Sequence, residues 1–366
     1  MGKKRSPVDR LYDMVRKKKH AKNARIESLW SPYRDGITFS FIQQFLACRE
    51  RTRKKYVEGW TSKHFKVPLE FGSIFHVMME IYFSQKSNMT KAVNAAKKYV
   101  AKKEKKLNSH AKNDLYILRE MVIVTFKEYI KYWNVEPSFS GKKKQYTDTD
   151  IRWLSFEEKF KFSYKLPNGK VIYITGMMDG KFVDPLNTKK VRLLENKTKS
   201  SISDVDIEAI LRKDAQTGLY MFALWKTTRS VPSGVLYNVI RRCGLKQGTA
   251  SPEHYIDRVG EDIRKRPEHY YKRWNVDITK NDLELFMDRT MNPILMQIVD
   301  WWESIKDKPF DPWTTGSKKN ELHFERPFGL YAGNVDLAST LEEIILDEDY
   351  SDYYQRDVCF PELEEE

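Results

Sequence analysis

The stretch 156–197 constrains this chain most. Runs at 156–165, 170–183 and 191–197 carry the β-branched and aromatic residues that suit a pleated surface. Pro167-Asn168-Gly169 separates the first two, and Asn-Gly readily adopts the positive φ values of a tight hairpin turn. Asp184-Pro185-Leu186-Asn187 marks the next reversal. Three strands joined this way form an antiparallel meander, the middle strand bonded to both neighbours. A helix is expected over 204–226, capped by Asp204, with Ile207, Leu211, Ala215, Gly218 and Phe222 toward a core. Residues 234–240 read as a further buried strand.

Helical periodicity dominates upstream. Ser40 is the expected N-cap of a helix over 41–56, with Phe41, Phe45 and Leu46 on one face and Arg49, Arg51, Arg53, Lys54 and Lys55 following. A second helix spans 69–83, where Phe71, Phe75 and Met79 recur every four residues. His76 lies off that stripe, level with Gly72, Ser73 and Glu80. Residues 90–133 are helical and lysine-rich, and Lys97, Lys98, Lys102, Lys103, Lys105 and Lys106 read as a solvated face. After the core, 244–274 is polar and irregular, 281–305 is helical, and 310–336 has little periodicity. The expected divisions are a basic arm (1–35), a helical lobe (36–150), an α/β core (151–245), a helical and irregular extension (246–340) and an acidic tail (341–366).

The net charge is +14, although 341–366 holds eleven acids against one arginine, so the rest of the chain is more basic still. Such a surface attracts a polyanion. No run approaches the roughly 18–20 apolar residues of a membrane span, and the lysine-rich start lacks the apolar region of a secretory signal. A cytoplasmic protein with no membrane partner is expected. Cys48, Cys243 and Cys359 are far apart and show no paired spacing, which argues against a disulfide framework or a zinc ribbon. The acidic tail reads as a plain solvated segment, with a basic protein partner as the alternative.

Two carboxylates stand out. Asp179 sits in an apolar strand, Thr175-Gly176-Met177-Met178-Asp179-Gly180, where a charge is costly unless paired or bound to a cation. Glu195 and Lys197 are two apart in Leu193-Leu194-Glu195-Asn196-Lys197, so both point to one face. Adjacent strands of a meander let Asp179 and Glu195 converge. Paired carboxylates suit a hard divalent cation such as Mg²⁺. Beside it, Lys197 can orient or deprotonate a water or stabilise charge; the residues alone leave these roles open. Taken alone, a Glu-x-Lys pair is an ordinary strand ion pair, and His76 an ordinary helix-face histidine.

The ordered set resembles the PD-(D/E)XK nuclease superfamily, and within it the RecB-like and CRISPR-adaptation-type exonucleases. The matching segments are Phe71-Gly72-Ser73-Ile74-Phe75-His76, Gly176-Met177-Met178-Asp179-Gly180, Glu195-Asn196-Lys197-Thr198 and Gln216-Thr217-Gly218-Leu219-Tyr220. The stretch from Ser40 through Cys48-Arg49 is similar to that family's opening helix. The resemblance covers about 38–240. It implies a restriction-endonuclease-like α/β core of helix, three-strand meander, helix and strand. Its mixed sheet has flanking helices, an N-terminal helical lobe and a C-terminal helical extension. It implies Asp179, Glu195 and Lys197 as catalytic residues. His76, Asp179, Glu195 and the carbonyl of Asn196 become ligands of Mg²⁺ or Mn²⁺. Gln216, Tyr220 and Ser40 are implied as substrate contacts, or, for Gln216 and Tyr220, as residues that shape the site.

Many relatives carry three late cysteines that hold an iron–sulfur cluster with one near Cys48; 321–341 contains none, so no cluster is expected. Cluster-free relatives are frequent among phage-type recombination and replication nucleases. The expectation is an exonuclease acting on DNA ends or single strands in a host cytoplasm. A structure-specific endonuclease and a catalytically idle nucleic-acid-binding subunit are the alternatives. Lys142-Lys143-Lys144 and 264–273 are candidate backbone contacts, and Tyr270, Tyr271 and Trp274 candidate stacking residues or core aromatics.

Overall fold

A computed structural model describes residues 29–57, 59–62, 67–105, 109–202, 210–306, 354–356, 359–360 and 363. The meander is present. Strand β1 (Trp153–Lys165) pairs antiparallel with β2 (Val171–Val183). Their turn has Gly169 at φ +86°, a left-handed value that costs glycine nothing. Strand β3 (Val191–Lys199) is antiparallel to β2. Strand β4 (Gly234–Arg241) lies parallel to β3, and β5 (Tyr271–Asp277) is antiparallel to β4, giving the order β1-β2-β3-β4-β5. A parallel pair needs a crossover, and the helical segment Ala215–Thr228 lies between β3 and β4 in the chain.

Among the described residues, eight principal helices flank the sheet. They are α1 (Phe39–Ala47), α2 (Val67–Ser84), α3 (Met89–Glu104), α4 (Ser109–Trp133), α5 (Ala215–Thr228), α6 (Pro252–Lys265), α7 (Lys280–Phe286) and α8 (Asn292–Ile305). Strand alternation sends successive residues to opposite faces. Leu193 packs in a core with Phe41, Leu219, Leu224, Leu295 and Trp302. Leu194 packs in a second core with Phe71, Phe75, Met79, Phe126 and Val259. Helices α1, α5, α7 and α8 therefore cover one face and α2, α3, α4 and α6 the other. The expected mixed α/β architecture is the one observed.

Several local expectations are corrected. Thr38, not Ser40, caps α1, its hydroxyl accepting from the Phe41 N–H at 3.1 Å. Helix α1 stops at Ala47 and the chain continues as a short helix and a π-turn to Val57. Leu46 is exposed, and Ile42 joins Phe41 and Phe45 in the core. Packing begins before residue 36, because Trp30 is buried and stacks on Phe41 at 4.1 Å between ring centroids. Residues 90–133 are helical as expected, carried by α3 and α4. Helix α5 starts at Ala215 under an Asp214 cap; Asp204 and Ile207 lie outside the described residues, as do 310–336. Residues 244–274 are not irregular. They hold α6, capped by Ser251, and the start of β5. Nor is 341–366 wholly a solvated tail. Tyr354–Arg356 pairs antiparallel with Trp60–Ser62, and Phe360 is buried with its ring 5.5 Å from that of Tyr56. No helix among the described residues is long and apolar enough to cross a membrane.

Candidate active site

The site lies where the sheet forks. Strands β2 and β3 are paired only from Val183↔Val191 to Gly180↔Leu194. Beyond that point β2 stays paired with β1 and takes a short parallel bridge from Ile37 at Ile174, while β3 stays paired with β4. Asp179 and Glu195 are the first residues past the last shared pair. The Asn196 N–H donates to Asp179 Oδ2 at 2.6 Å, so a side chain takes a backbone donor past the end of the ladder.

The two faces of β3 do different work. Glu195 and Lys197 point toward α5, where Lys197 Nζ donates to Glu195 Oε1 at 2.5 Å and to Gln216 Oε1 at 2.7 Å. The Asn196 side chain points the other way. Its Oδ1 accepts from Asn238 Nδ2 at 2.7 Å, and Asn238 also bonds to Tyr129 and Arg273. Arg273 is buried against Asp148, so an ion pair anchors the polar network behind the site. Helix α2 brings in His76. A Cβ on Gly72, one turn earlier, would stand 3.3 Å from Thr198 Oγ1, so glycine there allows the helix close to the end of β3.

A residue absent from the sequence reading completes the group. His76 Nδ1 lies 2.8 Å from Glu157 Oε1 and 3.8 Å from Asp179 Oδ1. Glu157 falls opposite Asp179, between the pairs Phe156↔Gly180 and Glu158↔Met178. Its φ of +47° is unusual for a non-glycine residue within a strand. One ligand atom each from His76, Glu157 and Asp179 can be chosen so that all lie within 4.8 Å of one another. Counting back from the Asn168-Gly169 turn would have paired Glu157 with Asp179 from sequence.

The electrostatics are those of crowded, buried acids. Burial pushes the Glu195 carboxyl up, and the charge of Asp179 adds to it, with Lys197 opposing. Burial also disfavours the Lys197 ammonium, but Glu195 and Asp179 outweigh it and hold the amine above its ordinary range. Burial likewise opposes a charged His76, yet Asp179 and Glu157 prevail and raise the ring to about 9. Glu195 is fully buried, and its Oε2 has no hydrogen-bond partner. A buried carboxylate oxygen without a donor is costly unless a cation meets it. The donor set of imidazole and carboxylates therefore fits a divalent metal.

Of the expected site residues, the fold gathers His76, Asp179, Glu195, Asn196, Lys197 and Gln216. Tyr220 is one turn beyond Gln216 on α5; burial raises its phenol, and the charges of Glu195 and Asp179 add to the effect. Ser40 is exposed, and its hydroxyl pairs with Thr38 at 2.9 Å. Of the aromatics read as either stacking or core residues, two are core. Tyr270 and Tyr271 are buried, bonded to Asp262 and to the Thr125 carbonyl, and only Trp274 is partly open. Residues 264–273 do not form a continuous basic track, because Arg266 bonds to Asp262 and Arg273 to Asp148. Lys142 and Lys143 are exposed, while Lys144 pairs with Asp150 at 2.8 Å. The cysteines occupy different surroundings. Cys48 is buried, Cys243 Sγ accepts from Tyr270, and Cys359 Sγ donates to the carbonyls of Leu29 and Tyr56.

This fold, with paired carboxylates and a lysine at a sheet fork, defines a class of metal-dependent phosphodiesterases. Residues 37–289 match the PD-(D/E)XK nuclease superfamily, and the chain belongs to it. Among solved structures it is similar to that of SSO0001, with 12% identity and a TM-score of 0.25 over 70% of this chain and 85% of that one. None of the curated proteins compared matches it.

Proposed function

We propose that this protein is a Mg²⁺- or Mn²⁺-dependent deoxyribonuclease of the RecB-like branch, acting as an exonuclease on DNA ends or single strands in recombination, replication or repair. One observation carries the reading. Asp179 and Glu195 meet at the fork of β2 and β3 with Lys197 beside them, and Glu195 Oε2 is buried without a donor. His76, Asp179, Glu195 and the main-chain carbonyl of Asn196 would hold the cation. When bound, the cation polarises a phosphoryl oxygen and makes a water more acidic. Lys197, held by Glu195 and Gln216, would orient or deprotonate that water or stabilise charge on the phosphate. Asn196, locked through Asn238 to the buried Arg273, keeps the β3 backbone in place. The basic surface away from the acidic tail supplies attraction for the DNA backbone.

The test is cleavage of end-labelled linear and circular single strands with Mg²⁺ or Mn²⁺. The expected result is metal-dependent loss of the linear strand only. Cutting of the circle would replace the exonuclease reading with an endonuclease. Inactivity under both metals would favour an idle DNA-binding subunit.

A further inference from the structure

We propose that the exposed face of the β1–β2 hairpin is a track for single-stranded DNA, with Lys159, Lys161 and Lys165 on its phosphates and Tyr173 under a base. The track rests on the nuclease reading for its end point, the fork at Asp179 and Glu195. Past the fork β1 and β2 run on together. Lys159 stands opposite Met177, Lys161 opposite Thr175, Ser163 opposite Tyr173 and Lys165 opposite Val171. These eight residues share one face. Strand alternation turns Phe160, Phe162, Tyr164, Ile172 and Ile174 to the other, where they pack in the core that holds Leu193. The eight include three lysines and no acid. Lys159, Lys161, Ser163, Lys165, Val171 and Tyr173 are all exposed.

The spacing fits an extended polyanion. Alternate residues of a β-strand stand about 6.8 Å apart, comparable with successive phosphates of an extended nucleic-acid strand. Lys159, Lys161, Ser163 and Lys165 therefore form a row of donors about 20 Å long. The row begins two residues past Glu157, which lies opposite Asp179 at the fork. The Tyr173 ring stands beside it, with Lys161 Nζ 5.0 Å from the ring centroid. The same nitrogen donates to the Arg34 carbonyl at 2.7 Å, which holds the cation next to the ring. A basic row with an exposed aromatic is the pairing that holds unpaired bases, because each base has a face free to stack. Bases inside a duplex have both faces covered, so the aromatic favours a single strand. β1 is an edge strand, and lysines alone would guard it against pairing with another chain. That role calls for no exposed tyrosine among them.

Binding of a fluorescein-labelled oligothymidylate to the full chain in EDTA, followed by anisotropy over a range of salt, tests this without cleavage. The slope of log K against log salt should shrink by about 0.7 for each lysine removed from a single-strand contact. Lys159→Gln combined with Lys165→Gln therefore lowers it by about 1.4, and leaves the bond from Lys161 to Arg34 in place. Tyr173→Ala should weaken binding about tenfold at an unchanged slope, and Tyr173→Phe should restore it. Circular dichroism confirms that each variant is folded. An unchanged slope in the lysine variant, unchanged affinity in Tyr173→Ala, or a blunt duplex bound as tightly as the single strand overturns the track. If the slopes and affinities change as expected but no DNA is cut with Mg²⁺ or Mn²⁺, the nuclease reading falls and the track stands.

Discussion

Asp179 reaches from β2 to take the Asn196 N–H of β3 at 2.6 Å, and this bond spans the opening between the two strands. It orients the carboxylate proposed to hold the cation. The same hydrogen bond ties the Asp179 side chain to the backbone of the Glu-x-Lys strand, so this acid is positioned by main chain rather than by flexible contacts.

Asp179→Asn keeps the size of that side chain and removes its charge. Losing several kcal/mol of charge stabilisation, at about 1.4 kcal/mol per tenfold, lowers kcat by about a hundredfold or more. Single-turnover cleavage of labelled DNA measures it, with circular dichroism as the check on folding. A variant within a few-fold of wild type would remove Asp179 from the mechanism.

Gln216 holds the Lys197 ammonium at 2.7 Å. A hydrogen bond to a charged group contributes about 1.5–3 kcal/mol. Gln216→Ala should cost about tenfold in kcat with KM for DNA little changed. An effect confined to KM would make Gln216 a substrate contact instead.

Glu157 occupies a left-handed backbone conformation at φ +47°. Glu157→Gly and Glu157→Ala lose the same carboxylate and differ in backbone strain. The glycine variant should be the more stable by about 1 kcal/mol, the reverse of the usual order in a strand. Urea melts of both proteins decide it; an alanine variant of equal or greater stability would contradict the conformation.

Asp184 and Arg192 form an ion pair whose side chains are almost wholly buried. Asp184→Asn leaves the guanidinium paired only with the more exposed Asp277, at 2.7 Å, and should cost about 2 kcal/mol at neutral pH. Burial pushes the Asp184 carboxyl up, but hydrogen bonds from Ser233 and Arg192 and the charge of Arg192 hold it below its ordinary 3.8. The folded pKa is depressed, so this stability is present above pH 3.8 and is lost as pH falls through the lower folded value. Urea melts from pH 7 to pH 2.5 should show the gap between wild type and variant closing only below about pH 4. A constant gap would mean the pair is not ionised in the fold.

Much of the site was legible because strand periodicity is local. A spacing of two puts Glu195 and Lys197 on one face whatever surrounds them, and the Asn168-Gly169 turn sets the register of β1 on β2. The helix of His76 could be read from Phe71, Phe75 and Met79, which are all buried. What escaped was hidden by charge. Arg273 looked like a DNA contact because hydropathy marks arginine as surface, and its burial depends on Asp148, 125 residues away in the chain. The polar look of 244–274 concealed β5 for the same reason.

The sequence alone therefore determined the meander, the face shared by Glu195 and Lys197, and the helical spacing of Gln216 and Tyr220. These follow from dihedral geometry within a few residues. Only the tertiary structure decided that β2 and β3 separate at Asp179, that His76 meets Glu157 there, and that Glu195 Oε2 is buried without a donor. Those features depend on which distant side chains pack above and below the sheet, and that packing brings the acids close enough to call for a cation.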